Sequence, residues 1–281
     1  MVIHNSVRTL LSEAIDYAGL SSPVELDVSS AARNYIAIHK GPYSWALGRL
    51  VLPATRLGEL RAATTSKAVK VAATVGNLDA ELALVESAGI DTIELKAGTP
   101  AQIRSASEKI PASITAYYEI ALAQDPRKCI EAIGEAGGCA KARTGGLVVD
   151  AFPGSRDLAR FIEACVDQNV AFKVTDGLEH AVRGPHPLNH QPDGEPVVMH
   201  GFLNVFLAAA FVRAGMEPVQ VVKLLEDTSS KSFSFEAESV KWREESLAMD
   251  QIRDARSHVA MSFGVSSFDG PMADLKALKM I

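Results

Sequence analysis

Two lysines, two glutamates, an arginine and a further lysine stand at two-residue spacings within short apolar runs: Glu94 and Lys96, Glu119, Lys141 and Arg143, and Lys173. In an extended chain, residues two apart share a face, so each pair projects to one side. Glu94 and Lys96 share theirs with Thr92, while Ile93 and Leu95 take the other; Lys141 and Arg143 alternate with Ala140 and Ala142, and Lys173 and Thr175 with Phe172 and Val174. A lysine that is crowded by other cations and partly desolvated becomes available as an amine nucleophile toward carbonyls, which suits Lys173 or Lys141. Glu119 and Glu94 would then shuttle protons. Three lysines and one arginine against two glutamates leave a positive surplus, in a chain whose formal net charge is -6. An anionic substrate, carboxylate or phosphate, is the expected partner.

The elements that must hold these residues recur as a short β-branched run, a turn, and ten to fifteen residues of helical periodicity. Strands are expected at 49–53, 69–76, 91–98, 113–121, 139–146, 171–177, 231–238 and 258–267, with helices near 55–64, 78–88, 100–109, 126–136, 155–168, 200–214, 218–226, 243–256 and 271–279. Asn77, Thr99 followed by Pro100, and Ser155 read as helix starts. Eight parallel strands joined by helices predict an α/β fold, a TIM-type (β/α)8 barrel forming a single domain over 1–281, with 1–48 as an N-terminal helical extension. Active sites of such barrels lie at the C-terminal strand ends, where the charges gather. Buried charge without a partner is costly, so the alternative to function is an internal ion-pair network, for instance Glu94 with Lys141 and Glu119 with Arg143.

KARTGG at 141–146 and KVTDGLEH at 173–180 resemble the paired lysine segments of the deoxyribose-phosphate aldolase family of class I aldolases. The resemblance covers about forty residues. It implies a lysine Schiff base, with Lys141 as the reacting lysine and Lys173 as its neighbour. Counting strands implies the opposite, because many class I aldolase-type barrels carry the Schiff base on strand 6, where Lys173 is expected. Arg143 within the first motif and Asp176 at a glycine-type position depart from the family pattern, and Glu119 is the only counterpart for its strand 4 acid. The chain as a whole is also similar to a bacterial family of predicted (β/α)8 barrels that brings no activity with it, through TAYYEI, AKARTGG, FKVTDGLEHAVR, MHGFLNVF and SFGVSSFDGPMADL. Where that family has paired histidines, this chain has Glu179 before His180.

Further candidates flank the motifs. Thr144 in RTGG, His180 after Gly177, His200 and Asn204 one turn apart, and Ser262 with Gly264 are expected to bind substrate around the mouth. Ser232, Ser234 and Glu236 form a second alternating polar face. Four of the seven histidines, His180, His186, His190 and His200, fall within 21 residues, but no HExxH or other compact ligand spacing is present, so no metal is expected. The reading calls for no cofactor.

Composition narrows the classes. Hydrophobic residues at 47% and charged ones at 22% describe an ordinary globular chain. A net charge of -6 argues against nucleic acid, and no apolar stretch approaches the roughly 20 residues needed to cross a bilayer. Glu13 and Asp16 interrupt the N-terminus where a secretory signal would be apolar. Cys129, Cys139 and Cys165 show no CxxC spacing and suit a reducing cytoplasm. The expectation is a cytoplasmic lyase, aldolase-like, acting on a small anionic metabolite such as an oxo acid or sugar phosphate, with association of copies open. The alternatives are a non-covalent barrel enzyme of the phosphoribosyl-transfer or decarboxylase kind, and a non-catalytic barrel that binds an anionic metabolite.

Overall fold

A computed structural model describes residues 3–188 and 194–281. Its centre is a closed barrel of eight parallel strands: β1 Ile15–Tyr17, β2 Leu47–Pro53, β3 Val71–Val75, β4 Thr92–Lys96, β5 Thr115–Ile120, β6 Cys139–Arg143, β7 Phe172–Thr175 and β13 Ala260–Val265. β13 closes the ring by pairing with β7 on one side and β1 on the other. The strand faces that pack against the helices carry Ile93, Leu95, Ala140, Ala142, Phe172, Val174 and Phe263, all buried, as a sheet covered by helices requires.

Helices follow the strands: α3 Leu57–Ala63, α4 Leu78–Ser87, α5 Pro100–Ser107, α6 Arg127–Glu135, α7 Ser155–Asp167, α8 Phe202–Arg213, α9 Pro218–Glu226, α10 Met249–His258 and α11 Asp269–Ala277, preceded by α1 Asn5–Leu11 and α2 Val28–His39. Asn77 accepts from the Ala80 N–H and Thr99 from the Gln102 N–H, both at 3.3 Å, so these two starts are capped as expected. Ser155 is instead the first residue of α7, with Gly154 at the cap position, and its buried hydroxyl has no hydrogen-bond partner among the described residues. No helix among the described residues is long and apolar enough to cross a membrane.

Two elements differ from the expected order. Segment 1–48 is not purely a helical extension, because it contains β1 and the start of β2. Segment 231–238 is not a barrel strand: β10 Phe233–Phe235 pairs antiparallel with β11 Ser239–Trp242, which pairs with β12 Glu245–Ala248. Strict apolar-polar alternation, as in FSFE, belongs to an antiparallel sheet with one wet face, whereas a barrel strand is covered on both sides. β12 occupies the first part of the stretch 243–256 expected as helix, and α10 begins only at Met249. A second small ribbon, β8 Gly184–Pro187 with β9 Pro196–Met199, stands in the long connection after β7; His190 lies outside the described residues.

Candidate active site

Strand register brings the charged residues together inside the barrel. Lys96 on β4 pairs with Glu119 on β5, Glu119 with Lys141 on β6, Lys141 with Lys173 on β7, and Lys173 with Ser262 on β13. β1 adds Asp16, which pairs with Gly264. The result is a continuous chain of ion pairs. Lys173 Nζ lies 2.5 Å from Asp16 Oδ2 and also contacts Glu94 Oε1. Glu94 Oε2 is 2.8 Å from Lys141 Nζ, which is 2.9 Å from Glu119 Oε2. Glu119 then meets Arg143 at 3.3 Å, and Arg143 meets Asp176. Asp16 is held from behind by the Ser262 hydroxyl, donating at 2.7 Å, and by the Arg49 N–H at 2.7 Å.

The electrostatics differ along this chain. Burial alone would raise the Glu94 carboxyl, but the Lys173 and Lys141 charges overcome it and hold it at about 2. Burial alone would lower Lys173; the Asp16 and Glu94 carboxylates outweigh that and hold its ammonium well above the usual lysine range. Its Nζ also stands 5.4 Å over the Tyr117 ring. Lys173 is therefore a fixed cation. Glu119 is kept below the usual carboxylate range because the Lys141 and Arg143 charges outweigh its desolvation. Asp176 goes the other way: desolvation raises it, and Arg143 offsets this only in part.

A cavity of about 350 Å³ opens at the C-terminal strand ends and reaches Glu94, Lys141, Arg143, Lys173, Thr175 and Asp176. Its rim includes Leu147 and Phe152 from the loop after β6. That loop is stitched to the turn after β7: the Thr144 N–H donates to the Thr175 carbonyl at 3.0 Å, and the Thr144 hydroxyl to the Asp176 carbonyl at 2.7 Å. A Cβ on Gly177, whose φ is +70°, would lie 2.6 Å from the Thr144 carbonyl oxygen, so the glycines of both motifs let two turns touch.

Glu94, Glu119, Lys141, Arg143, Lys173 and Ser262 thus converge, and the remaining candidates do not join them. Lys96 is exposed and makes no ion pair among the described residues. Thr144 is fully buried and spends its hydroxyl on Asp176. His180 turns away to Asp274 on α11 at 3.2 Å and stacks on His186 with ring centroids 3.3 Å apart. His200 and Asn204 are buried behind the mouth: His200 Nε2 bonds the Pro153 carbonyl at 2.9 Å, and the Asn204 amide ties together Arg183, Leu224 and Asp227. Glu236 pairs with Lys241 in the antiparallel sheet, away from the barrel. No group of three or more His, Cys, Asp or Glu able to hold a metal ion occurs among the described residues.

Asp16 and Asp176 are the residues that sequence reasoning missed. They change the charge balance: Asp16, Glu94, Glu119 and Asp176 face Lys141, Lys173 and Arg143, so the positive surplus expected of the pocket disappears. The strand count also shifts. With β1 counted, Lys141 stands on the sixth barrel strand and Lys173 on the seventh. Lys173 is therefore not on strand 6, as the expected order had it.

The architecture is that of a (β/α)8 barrel with an ionic network at its heart. A structure of FabK from Thermotoga maritima aligns with 98% of this chain and 82% of its own, at 13% identity and a TM-score of 0.36, a likeness too distant to bear on function. No protein-family model matches the sequence, and no curated protein is similar to it.

Proposed function

We propose that the chain is an enzyme of the lyase class, aldolase-like, which forms a Schiff base between Lys141 and a small carbonyl substrate. The observation that carries the reading is the division of labour between two neighbouring lysines on β6 and β7. Both lysines reach the mouth cavity and each lies between two carboxylates, but Lys173, between Asp16 and Glu94, is the more deeply buried and is held as an ammonium, whereas Lys141, between Glu94 and Glu119, is the more open of the two. The aldolase-like motif points to the same lysine, and so does its position on the sixth strand.

In this scheme the Lys141 ammonium hands a proton to Glu119, and the free amine adds to the substrate carbonyl carbon. Glu119, now carrying that proton, returns it to the carbinolamine oxygen as water leaves. The iminium then draws the electron pair of the adjacent carbon–carbon bond as a carboxylate takes the proton of the β-hydroxyl, releasing an aldehyde and leaving an enamine. Lys173 steadies the charge on Glu94 throughout. Arg143, 43% exposed at its side chain, is the cation at the rim for an anionic end of the substrate, an oxo acid or sugar phosphate.

Borohydride added with a panel of oxo acids, aldehydes and sugar phosphates tests this. A reduced adduct mapped to Lys141 by mass spectrometry, and lost in Lys141→Met, is the expected result. No adduct across the panel, or one unchanged in Lys141→Met, overturns it. The locked ammonium of Lys173 favours a second reading, in which both lysines act as fixed charges in non-covalent chemistry. There, turnover without trapping and partial activity in Lys141→Arg are expected.

A further inference from the structure

The N-terminal end of the barrel holds a second cationic cluster. Arg253, Arg256 and Ser257 fall on one face of α10, Arg8 and Thr9 come from α1, and Trp45 comes from a short 3-10 turn, Ser44–Ala46; together with Ser12 they line a cavity of about 470 Å³. Among the described residues none of the three arginines has an ion-pair partner, whereas Arg49, Lys70 and Arg143 elsewhere on the barrel are each matched by a carboxylate. Glu13, which lines the adjoining floor cavity, is taken by Lys70 at 2.9 Å. Arg8 stands 5.3 Å over the Trp45 ring. Arg256 donates to the carbonyls of Ser12 and Met261, each at 2.7 Å, and to that of Ala260.

Two donors here are buried with no acceptor among the described residues: Arg256 Nε and Trp45 Nε1. A buried N–H without an acceptor is costly, and an unpaired guanidinium more so, which makes the shortage of acceptors the property to explain. Burial pulls Arg256 down to about 10, which leaves it charged at neutral pH. Three guanidinium groups, with no carboxylate among the lining residues, fit a compact oxyanion that accepts from several directions at once.

We propose that this cluster is a binding site for a phosphate group, at the opposite end of the barrel from the catalytic mouth and independent of the chemistry there. The free anion, a phosphomonoester and a nucleotide share that chemistry. Calorimetric titrations with inorganic phosphate, ribose 5-phosphate and AMP, at ionic strength matched with sodium chloride, test it. Because Arg8 and Arg253 are exposed, Arg8→Gln with Arg253→Gln spares the core, whereas Arg256 holds backbone carbonyls and is left in place.

Binding weakened about tenfold or more in the double glutamine variant, a change of ~1.4 kcal/mol, is the expected result. Partial recovery in Arg8→Lys with Arg253→Lys is expected with it. Equal affinity for all three ligands assigns the site to the phosphate alone; tighter binding of AMP or of the sugar phosphate assigns it to that class. No binding above the chloride control, or binding unchanged in the double glutamine variant, overturns the proposal.

Discussion

Replacing Glu94 by glutamine tests the ionic network at the point where most of it meets. The side chain keeps its shape, so no cavity is added. What goes is the charge that Lys141, at 2.8 Å, and Lys173 share. A buried carboxyl held at about 2 rather than its usual 4.5 contributes about 3 kcal/mol at neutral pH, at ~1.4 kcal/mol for each pH unit of displacement. Lys141 retains Glu119 and Lys173 retains Asp16, so neither is left as a lone buried charge, and the loss stays near the lower end of the ~3–5 kcal/mol typical of broken buried pairs. In a chain of this length that corresponds to a fall in Tm of about 6–12 °C. The sign with pH follows from the lowered value. The contribution is complete above the unfolded carboxyl's range and is lost as pH falls from about 4.5 toward 2. Urea unfolding of wild type and Glu94→Gln at graded pH should show a constant gap from pH 8 to about 5.5 that narrows below it. A gap under ~1 kcal/mol at pH 7, or one that does not narrow in acid, would refute the view that Glu94 is a buried anion neutralising two ammonium groups.

Three further outcomes follow from neighbouring sites. His200 donates from Nε2 to the Pro153 carbonyl and presents Nδ1 to the Arg183 guanidinium at 3.0 Å; burial first, then the Arg183 charge, lowers the ring to about 4 against the opposing pull of the Pro153 bond, which keeps it neutral. Stability therefore falls by ~1.4 kcal/mol per unit as pH drops below about 6.5, and the slope between pH 6.5 and 5 should be flatter in His200→Gln; an unchanged slope would mean the ring is not held neutral. Gly177→Ala puts a Cβ 2.6 Å from the Thr144 carbonyl oxygen in a left-handed backbone and should cost more than ~1 kcal/mol and slow borohydride trapping, whereas Gly58→Ala, in open space within α3, should be neutral or stabilising. Asn204→Leu strands the Leu224 and Asp227 carbonyls and the Arg183 N–H, and a loss of ~2 kcal/mol or more in thermal unfolding is expected, with trapping at Lys141 preserved in the folded fraction.

The inward face of β4 to β7 is legible from alternation alone, since Glu94, Glu119, Lys141 and Lys173 each sit between apolar neighbours in runs of four to six residues. β1 is not legible. Ile15–Tyr17 is only three residues long and follows directly on an amphipathic helix, so its period-two signal is too short to separate from the helical one. Losing that strand loses Asp16, whose carboxylate fixes Lys173, and it displaces the numbering by one. Motif and strand count conflict for that reason alone; with β1 in place both select Lys141. Segment 231–238 takes the vacant place in the count because its alternation is the clearer, yet strict alternation is the mark of a half-wetted antiparallel strand.

Asp176 carries the same lesson in a single residue. It stands where the aldolase-like motif has glycine, and its φ of +58° is the left-handed conformation that glycine adopts without cost. Aspartate tolerates that conformation better than most side chains, so the turn after β7 keeps its path. The substitution gains a carboxyl at the mouth, on Arg143, without giving up the backbone that seats Gly177 against Gly145. A departure from a motif is thus compatible with the motif's geometry while altering its chemistry. The added carboxyl partners Arg143 at the mouth, and desolvation holds it above the usual aspartate value although the Arg143 charge pulls the other way.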